Sequence, residues 1–138
     1  MILFVDDETR WMKTYVEELE YHEFEVHFQP RVDDAFDFFE RNTDSIRLLI
    51  LDIMMPYGGR FDRNETESGM KTGLVFYRRI REKAPDLPVI ILTNYNRPEI
   101  EEEFSREANC HYLQKQHYPS RELVEIVKHC LNEVPAIG

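Results

Sequence analysis

Residues Leu48–Pro56 read Leu-Leu-Ile-Leu-Asp-Ile-Met-Met-Pro, and this stretch constrains the fold more than any other. Four consecutive aliphatic residues suit a strand covered on both faces, as in a parallel sheet, better than a strand with one wet side. The run stops at Asp52, and Pro56 blocks simple continuation of a strand or helix. Asp52 therefore belongs at the carboxyl end of a central strand, where open α/β sheets place their ligands. Taken alone, an acid after a core strand can equally be a solvated chain end, so the other strands must decide.

They alternate with helical segments. Ile2–Val5 is a short apolar run ending at Asp6-Asp7-Glu8. From Thr9 to Glu20, Trp11, Met12, Tyr15, Val16 and Leu19 recur at helical spacing and predict an apolar face that includes the tryptophan. Phe24–Phe28 alternates as a half-wet strand. Val32–Arg41 is helical by period, Arg47–Leu51 is the strand above, and Gly73–Lys83 is helical with Leu74, Tyr77 and Ile80 inward. Pro88–Thr93 is a second buried strand ending on a polar residue. Asn96-Arg97-Pro98-Glu99 reads as a helix start capped by Asn96, and the helix runs to about Glu107 on sparse anchors, Ile100 and Phe104. His111–Leu113 leads to Lys115, and Pro119-Ser120 opens a last helix with Leu123, Ile126, Val127 and Leu131 inward. Five strands alternating with five helices predict an α/β fold: a doubly wound parallel sheet with helices on both faces.

The chain has 138 residues, one domain's worth. Its net charge of −10, from 17 basic and 27 acidic residues, argues against nucleic acid or an anionic membrane as main partner. It suits a cation or a basic protein surface. Cys110 and Cys130 form no Cys-x-x-Cys pair and read as reduced, half-buried thiols. The start lacks a basic region and no segment reaches membrane-spanning length, so a cytoplasmic protein is expected. The histidines show no metal-binding spacing.

One stretch breaks the rhythm. Residues 57–72 are polar, charged and glycine-punctuated, too long for an ordinary strand-to-helix loop. The expectation is a mobile rim beside Asp52.

In such a sheet every strand's carboxyl end lies on one edge. That edge collects Asp6 and Asp7, Asp52, Thr93 and Lys115 from the first, third, fourth and fifth strands. Converging carboxylates repel unless a cation joins them, and an all-oxygen cluster suits Mg²⁺. A carboxylate, a hydroxyl and an ammonium around one ion also make a phosphoryl site, with Asp52 able to attack in line.

On these residues the chain resembles the receiver domain of two-component response regulators, over essentially its whole length. Leu3-Phe4-Val5-Asp6-Asp7-Glu8, Leu49–Pro56, Val89–Thr93 and Tyr112-Leu113-Gln114-Lys115 carry the likeness in order and separation. The resemblance implies a flavodoxin-like sheet of order 2-1-3-4-5 over residues 1–133, with 57–72 inserted and 134–138 a short tail. It implies that Asp52 accepts a phosphoryl group from a phosphohistidine on a histidine kinase or a histidine phosphotransfer protein. Asp7 and Asp52 match direct Mg²⁺ ligands, the Met54 carbonyl a third, and Asp6 a ligand through water. Thr93 and Lys115 match the phosphoryl-binding pair, and Tyr112 matches an aromatic switch coupled to Thr93. The readout face would be the fourth helix, fifth strand and fifth helix, docking an output partner or a second copy. Such a domain is no enzyme toward a separate substrate; it catalyses only its own phosphorylation and dephosphorylation. With no output region after Asn132, the chain either docks to a partner or is a piece of a longer regulator.

Three departures stand out: the inserted loop, Asn94 where the family carries a small residue, and Gln116 where it carries a proline, usually after a cis peptide. The two competing readings are a phosphorylation-independent interaction module with the same fold and an aspartyl phosphatase. Retention of Asp6, Asp7, Asp52, Thr93 and Lys115 weighs against the first. The second lacks its usual second acid, since Met54 stands two residues after Asp52.

Overall fold

A computed structural model describes residues 1–95 and 97–131. The capping role expected of Asn96 and the tail 134–138 lie outside the described residues. The chain alternates β1 (Ile2–Val5), α1 (Thr9–Tyr21), β2 (Val26–Gln29), α2 (Val32–Arg41), β3 (Leu48–Leu51), α3 (Thr72–Lys83), β4 (Val89–Thr93), α4 (Pro98–Ser105), β5 (Cys110–Gln114) and α5 (Ser120–Cys130). The strands form one parallel sheet in the order β2-β1-β3-β4-β5. This is the doubly wound arrangement that the alternation predicts. No described helix is long and apolar enough to cross a membrane.

Each central strand divides its side chains between two cores, because successive strand residues point to opposite faces. Leu3, Val5, Leu49, Leu51, Val89 and Ile91 face α2, α3 and α4. Ile2, Phe4, Leu48, Ile50, Ile90 and Leu92 face α1 and α5. Burial on both faces is why β1, β3 and β4 are runs of aliphatics rather than alternating patterns. The edge strand β2 has no such cover, and all four of its residues are half-buried.

The register aligns the strand ends. Val5 lies beside Leu51, and the Asp52 amide donates to the Val5 carbonyl at 3.0 Å. Thr93 lies beside Gln114, one residue before Lys115. Asp6, Asp52, Thr93 and Lys115 thus leave the sheet on a single edge.

Trp11 departs from expectation: it is 69% exposed, while Met12 and Leu19 are the buried residues of α1. A one-residue step turns a helix by about 100°, so two adjacent apolar residues cannot both point straight at the sheet. Met12 and Leu19 take the inward line, with Tyr15 and Val16 beside it, and Trp11 faces solvent.

The stretch 57–72 is packed rather than a detached rim. Phe61 is fully buried and stacks on Phe76 at 5.9 Å, with the Arg79 guanidinium 4.3 Å above its ring. Asp33 of α2 accepts the amides of Gly59 and Arg60 at 2.7 and 3.2 Å. The segment also returns to its point of departure. The Met55 amide donates to the Gly69 carbonyl at 3.2 Å, and the Thr72 hydroxyl donates to the Met55 carbonyl at 2.6 Å. Loop ends held this close leave α3 and the sheet undisturbed, which is how compact surface loops are accommodated.

Candidate functional site

Asp52 emerges from β3 almost fully buried. Its Oδ1 accepts the Ile53 amide at 2.8 Å, and its Oδ2 lies 3.3 Å from the Lys115 amine. The Thr93 hydroxyl lies beside its carboxylate and favours the charged form. Thr93 Oγ1 accepts the Tyr95 amide at 3.0 Å, which leaves the hydroxyl proton for Asp52. Burial raises the Asp52 carboxyl above its ordinary range, while the Lys115 charge and the Thr93 and Ile53 hydrogen bonds pull it back.

Gly73 makes this strand end possible. A Cβ there would lie 1.9 Å from the Asp52 carbonyl oxygen and 2.6 Å from Ile53 Cα. Its amide instead donates to the Ile53 carbonyl at 2.8 Å, seating the first turn of α3 against the backbone under Asp52. Only a residue without a side chain permits that approach.

Lys115, with its side chain 7% exposed, extends from the end of β5 into a group of carboxylates. Its Nζ lies 2.7 Å from Glu8 Oε1, 2.9 Å from Asp6 Oδ2 and 3.3 Å from Asp52 Oδ2. Burial works against the ammonium, but the charges of Asp52 and Asp6 outweigh it and hold the amine's pKa above its usual range. Asp6 is wholly buried, and its carboxyl is pushed up to about 7 by burial and by the neighbouring Asp52 charge. Asp6 Oδ2 is close enough to Lys115 for an ion pair, yet no well-aligned hydrogen bond satisfies it.

Of the residues singled out in the sequence, Asp6, Asp52, Thr93 and Lys115 meet at this centre. Asp7 faces solvent, where it lines the openings beside Pro56 and Tyr57. Burial raises its carboxyl too. The Met54 side chain is exposed at the same opening. The oxygens that converge within 4.8 Å are those of Asp6, Glu8 and Asp52. Glu8 joins them beyond the residues expected from the sequence, where its only signal is its place as the third acid of Asp-Asp-Glu. Its amide also donates to Asp6 Oδ1 at 2.9 Å, a two-residue turn that folds its side chain back over the site.

The remaining expected positions lie around this centre. Asn94 is exposed at the end of β4. Gln116 lies in a 3-10 turn, Lys115–His117, and no peptide bond among the described residues is cis. Tyr112 is half-buried; its hydroxyl donates to the Tyr95 carbonyl, and its ring lies 5.8 Å from that of Phe104 in α4.

A parallel sheet with two acids after its first strand, a buried aspartate after its third, a hydroxyl on its fourth and a lysine after its fifth defines a class of switch-like α/β domains. The family model of the response regulator receiver domain matches residues 2–128, and the chain belongs to that family. It is a receiver domain of the two-component response regulators. No curated protein matches it. Among solved structures it is similar to a response regulator receiver domain protein from Clostridium thermocellum (24% identity, TM-score 0.78, covering 96% of this chain and 94% of that one). It is also similar to the receiver domain of NtrX from Brucella abortus (20%, 0.75, 96% and 98%). A third is a CheY-like receiver domain protein from Methanospirillum hungatei (22%, 0.74, 96% and 93%). At these identities the likeness to the solved structures establishes the fold alone.

Proposed function

We propose that the receiver unit, residues 1–133, is a phosphorylation-driven signalling switch with Asp52 as its phosphoacceptor. The observation that carries this reading is the convergence of the Lys115 amine and the Thr93 hydroxyl on one buried carboxylate. A buried aspartate is costly unless its charge is used, and these two groups hold the anion ready for attack.

The donor is a phosphohistidine on a histidine kinase or a histidine phosphotransfer protein. An Asp52 carboxylate oxygen attacks phosphorus, a P–O bond forms, and the P–N bond to the imidazole breaks. The departing ring nitrogen takes a proton from water. Lys115 then pairs with a phosphoryl oxygen, and Thr93 redirects its hydroxyl to another. Hydrolysis by water at phosphorus resets the carboxylate.

The donor set fits Mg²⁺, because Asp6 Oδ2 is buried with a free lone pair among hard oxygen ligands. Asp6, Asp7, Asp52 and the Met54 carbonyl would hold it, with Glu8 at hand. Bound there, the ion supplies positive charge that offsets the phosphoryl oxygens in transfer.

Readout follows from who holds whom. Thr93 accepts the Tyr95 amide, Tyr112 donates to the Tyr95 carbonyl, and Tyr112 packs on Phe104 of α4. A shift of Thr93 toward the phosphoryl group therefore pulls on α4, which rests on only two buried residues, Ile100 and Phe104. The α4–β5–α5 face is the proposed docking surface for an output partner or a second copy.

Incubation with Mg²⁺ and acetyl phosphate, followed by intact mass, tests the reading. We expect one phosphoryl group to be gained only with Mg²⁺, and none in Asp52→Asn. No gain in a folded sample would favour a phosphorylation-independent interaction module.

A further inference from the structure

Tyr15 plays no part in the chemistry above, yet it touches the backbone that carries Lys115. Its half-buried ring lies on α1, beside α5, and its hydroxyl reaches the turn after β5. The hydroxyl donates to the Tyr118 carbonyl at 2.8 Å and lies 3.3 Å from the Lys115 carbonyl oxygen. Those two carbonyls bracket the 3-10 turn Lys115–His117, which the Tyr118 amide closes by donating to the Lys115 carbonyl at 3.3 Å.

Two residues of that turn carry no core packing. Gln116 and His117 are exposed, and with glutamine after the lysine no proline ring restrains the backbone there. Lysine's flexible side chain lets its amine swing between neighbouring carboxylates, so which of them it favours is biased by where its Cα stands. Here the amine must serve three carboxylates at 2.7, 2.9 and 3.3 Å, and a small shift of the backbone would favour Glu8 at the expense of Asp52.

We propose that Tyr15 is a positioning residue: its hydroxyl clamps the turn after β5 and so sets the reach of the Lys115 amine to Asp52 and to the phosphoryl group it accepts. This rests on the phosphoacceptor reading above. The role belongs to the hydroxyl, whereas the ring packs between helices, and Tyr15→Phe separates the two.

The test is a double-mutant cycle of Tyr15→Phe and Lys115→Met, with Mg²⁺ present to neutralise the carboxylates. The readouts are the rate of phosphorylation by acetyl phosphate and the equilibrium affinity for beryllofluoride, which stays measurable when the rate is slow. Tyr15→Phe should slow phosphorylation about tenfold, the scale of a displacement of well under an ångström at a reacting centre. Melting temperature and Mg²⁺ affinity should stay close to those of the parent, since the proposed ligands sit on the β1 and β3 ends. In the Lys115→Met background, Tyr15→Phe should change beryllofluoride affinity by less than about twofold, because a residue acting through Lys115 has nothing left to position. Parent-like phosphorylation by Tyr15→Phe would overturn the inference. So would an equal loss of beryllofluoride affinity in both backgrounds, which would mean general packing. A parent protein that gains no phosphoryl group would overturn the phosphoacceptor reading and this inference with it.

Discussion

Asp6 is the residue at which the site's electrostatics are most exacting. Its carboxylate is buried, faces Asp52, and has one oxygen that only an ion pair serves. Such a charge is retained against the interest of the empty fold. Asp6→Asn should therefore raise the melting temperature of the metal-free protein, equivalent to about 1–3 kcal/mol, and weaken Mg²⁺ binding at least about tenfold. Thermal melts in chelator, paired with Mg²⁺ titration, check both halves; a destabilised variant that still binds Mg²⁺ would contradict them. Cys110 supplies a contrast, since its thiol is pushed up to about 12, chiefly by burial, against the nearby charge of Arg81. Folding thus favours the protonated thiol. That share of stability is complete below the ordinary value of 9.0 and is lost as pH rises toward 12. Alkylation by iodoacetamide at pH 8 should be far slower at Cys110 in the folded protein than after denaturation, because the thiolate is the reactive form. At this scale the sequence was legible where a strand end forced the outcome, as at Asp52, Thr93 and Lys115. It was not legible at Glu8, whose turn back over Asp6 depends on one backbone amide, nor at Trp11, whose direction depends on helix phase.

The junction of β3 with α3 carries the heaviest constraint at the scale of elements. Gly73 lets the helix start in contact with the strand end, and a methyl group there would strike backbone rather than a side chain that can move. Gly73→Ala should cost about 3 kcal/mol and displace Asp52 enough to impair phosphorylation, readable by chemical denaturation and acetyl phosphate kinetics together. The inserted segment between these elements makes the opposite point. Composition suggests a mobile rim, because polar, charged and glycine-punctuated loops are ordinarily solvated; what composition cannot convey is that one aromatic, Phe61, finds a slot between Phe36, Phe76 and Arg79. Phe61→Ala should destabilise the domain by about 3–4 kcal/mol, whereas truncating a merely mobile loop residue would cost almost nothing. The β1, β3 and β4 strands were legible because burial on both faces leaves continuous aliphatic runs. The limits of β2 and α4 were less so, as both are edge or lightly anchored elements whose ends are set by tertiary contacts.

At the scale of the whole molecule, a rigid sheet floor stands beside a lightly anchored α4. β1, β3 and β4 are buried on both faces and fix the acids and Thr93, while α4 is anchored by Ile100 and Phe104. On the proposed function, a local change of charge at Asp52 moves the α4 side without disturbing the sheet. The proposed function requires that Asp52 itself carries the phosphoryl group. An aspartyl phosphate is an acyl phosphate, and borohydride reduces it to an alcohol in place of the carboxyl. The most direct measurement is borohydride reduction of the protein after Mg²⁺ and acetyl phosphate treatment, followed by peptide mass mapping. Homoserine is expected at position 52, dependent on Mg²⁺. Homoserine at Asp6, Asp7 or another acid, or none in a protein shown to be folded, would contradict it.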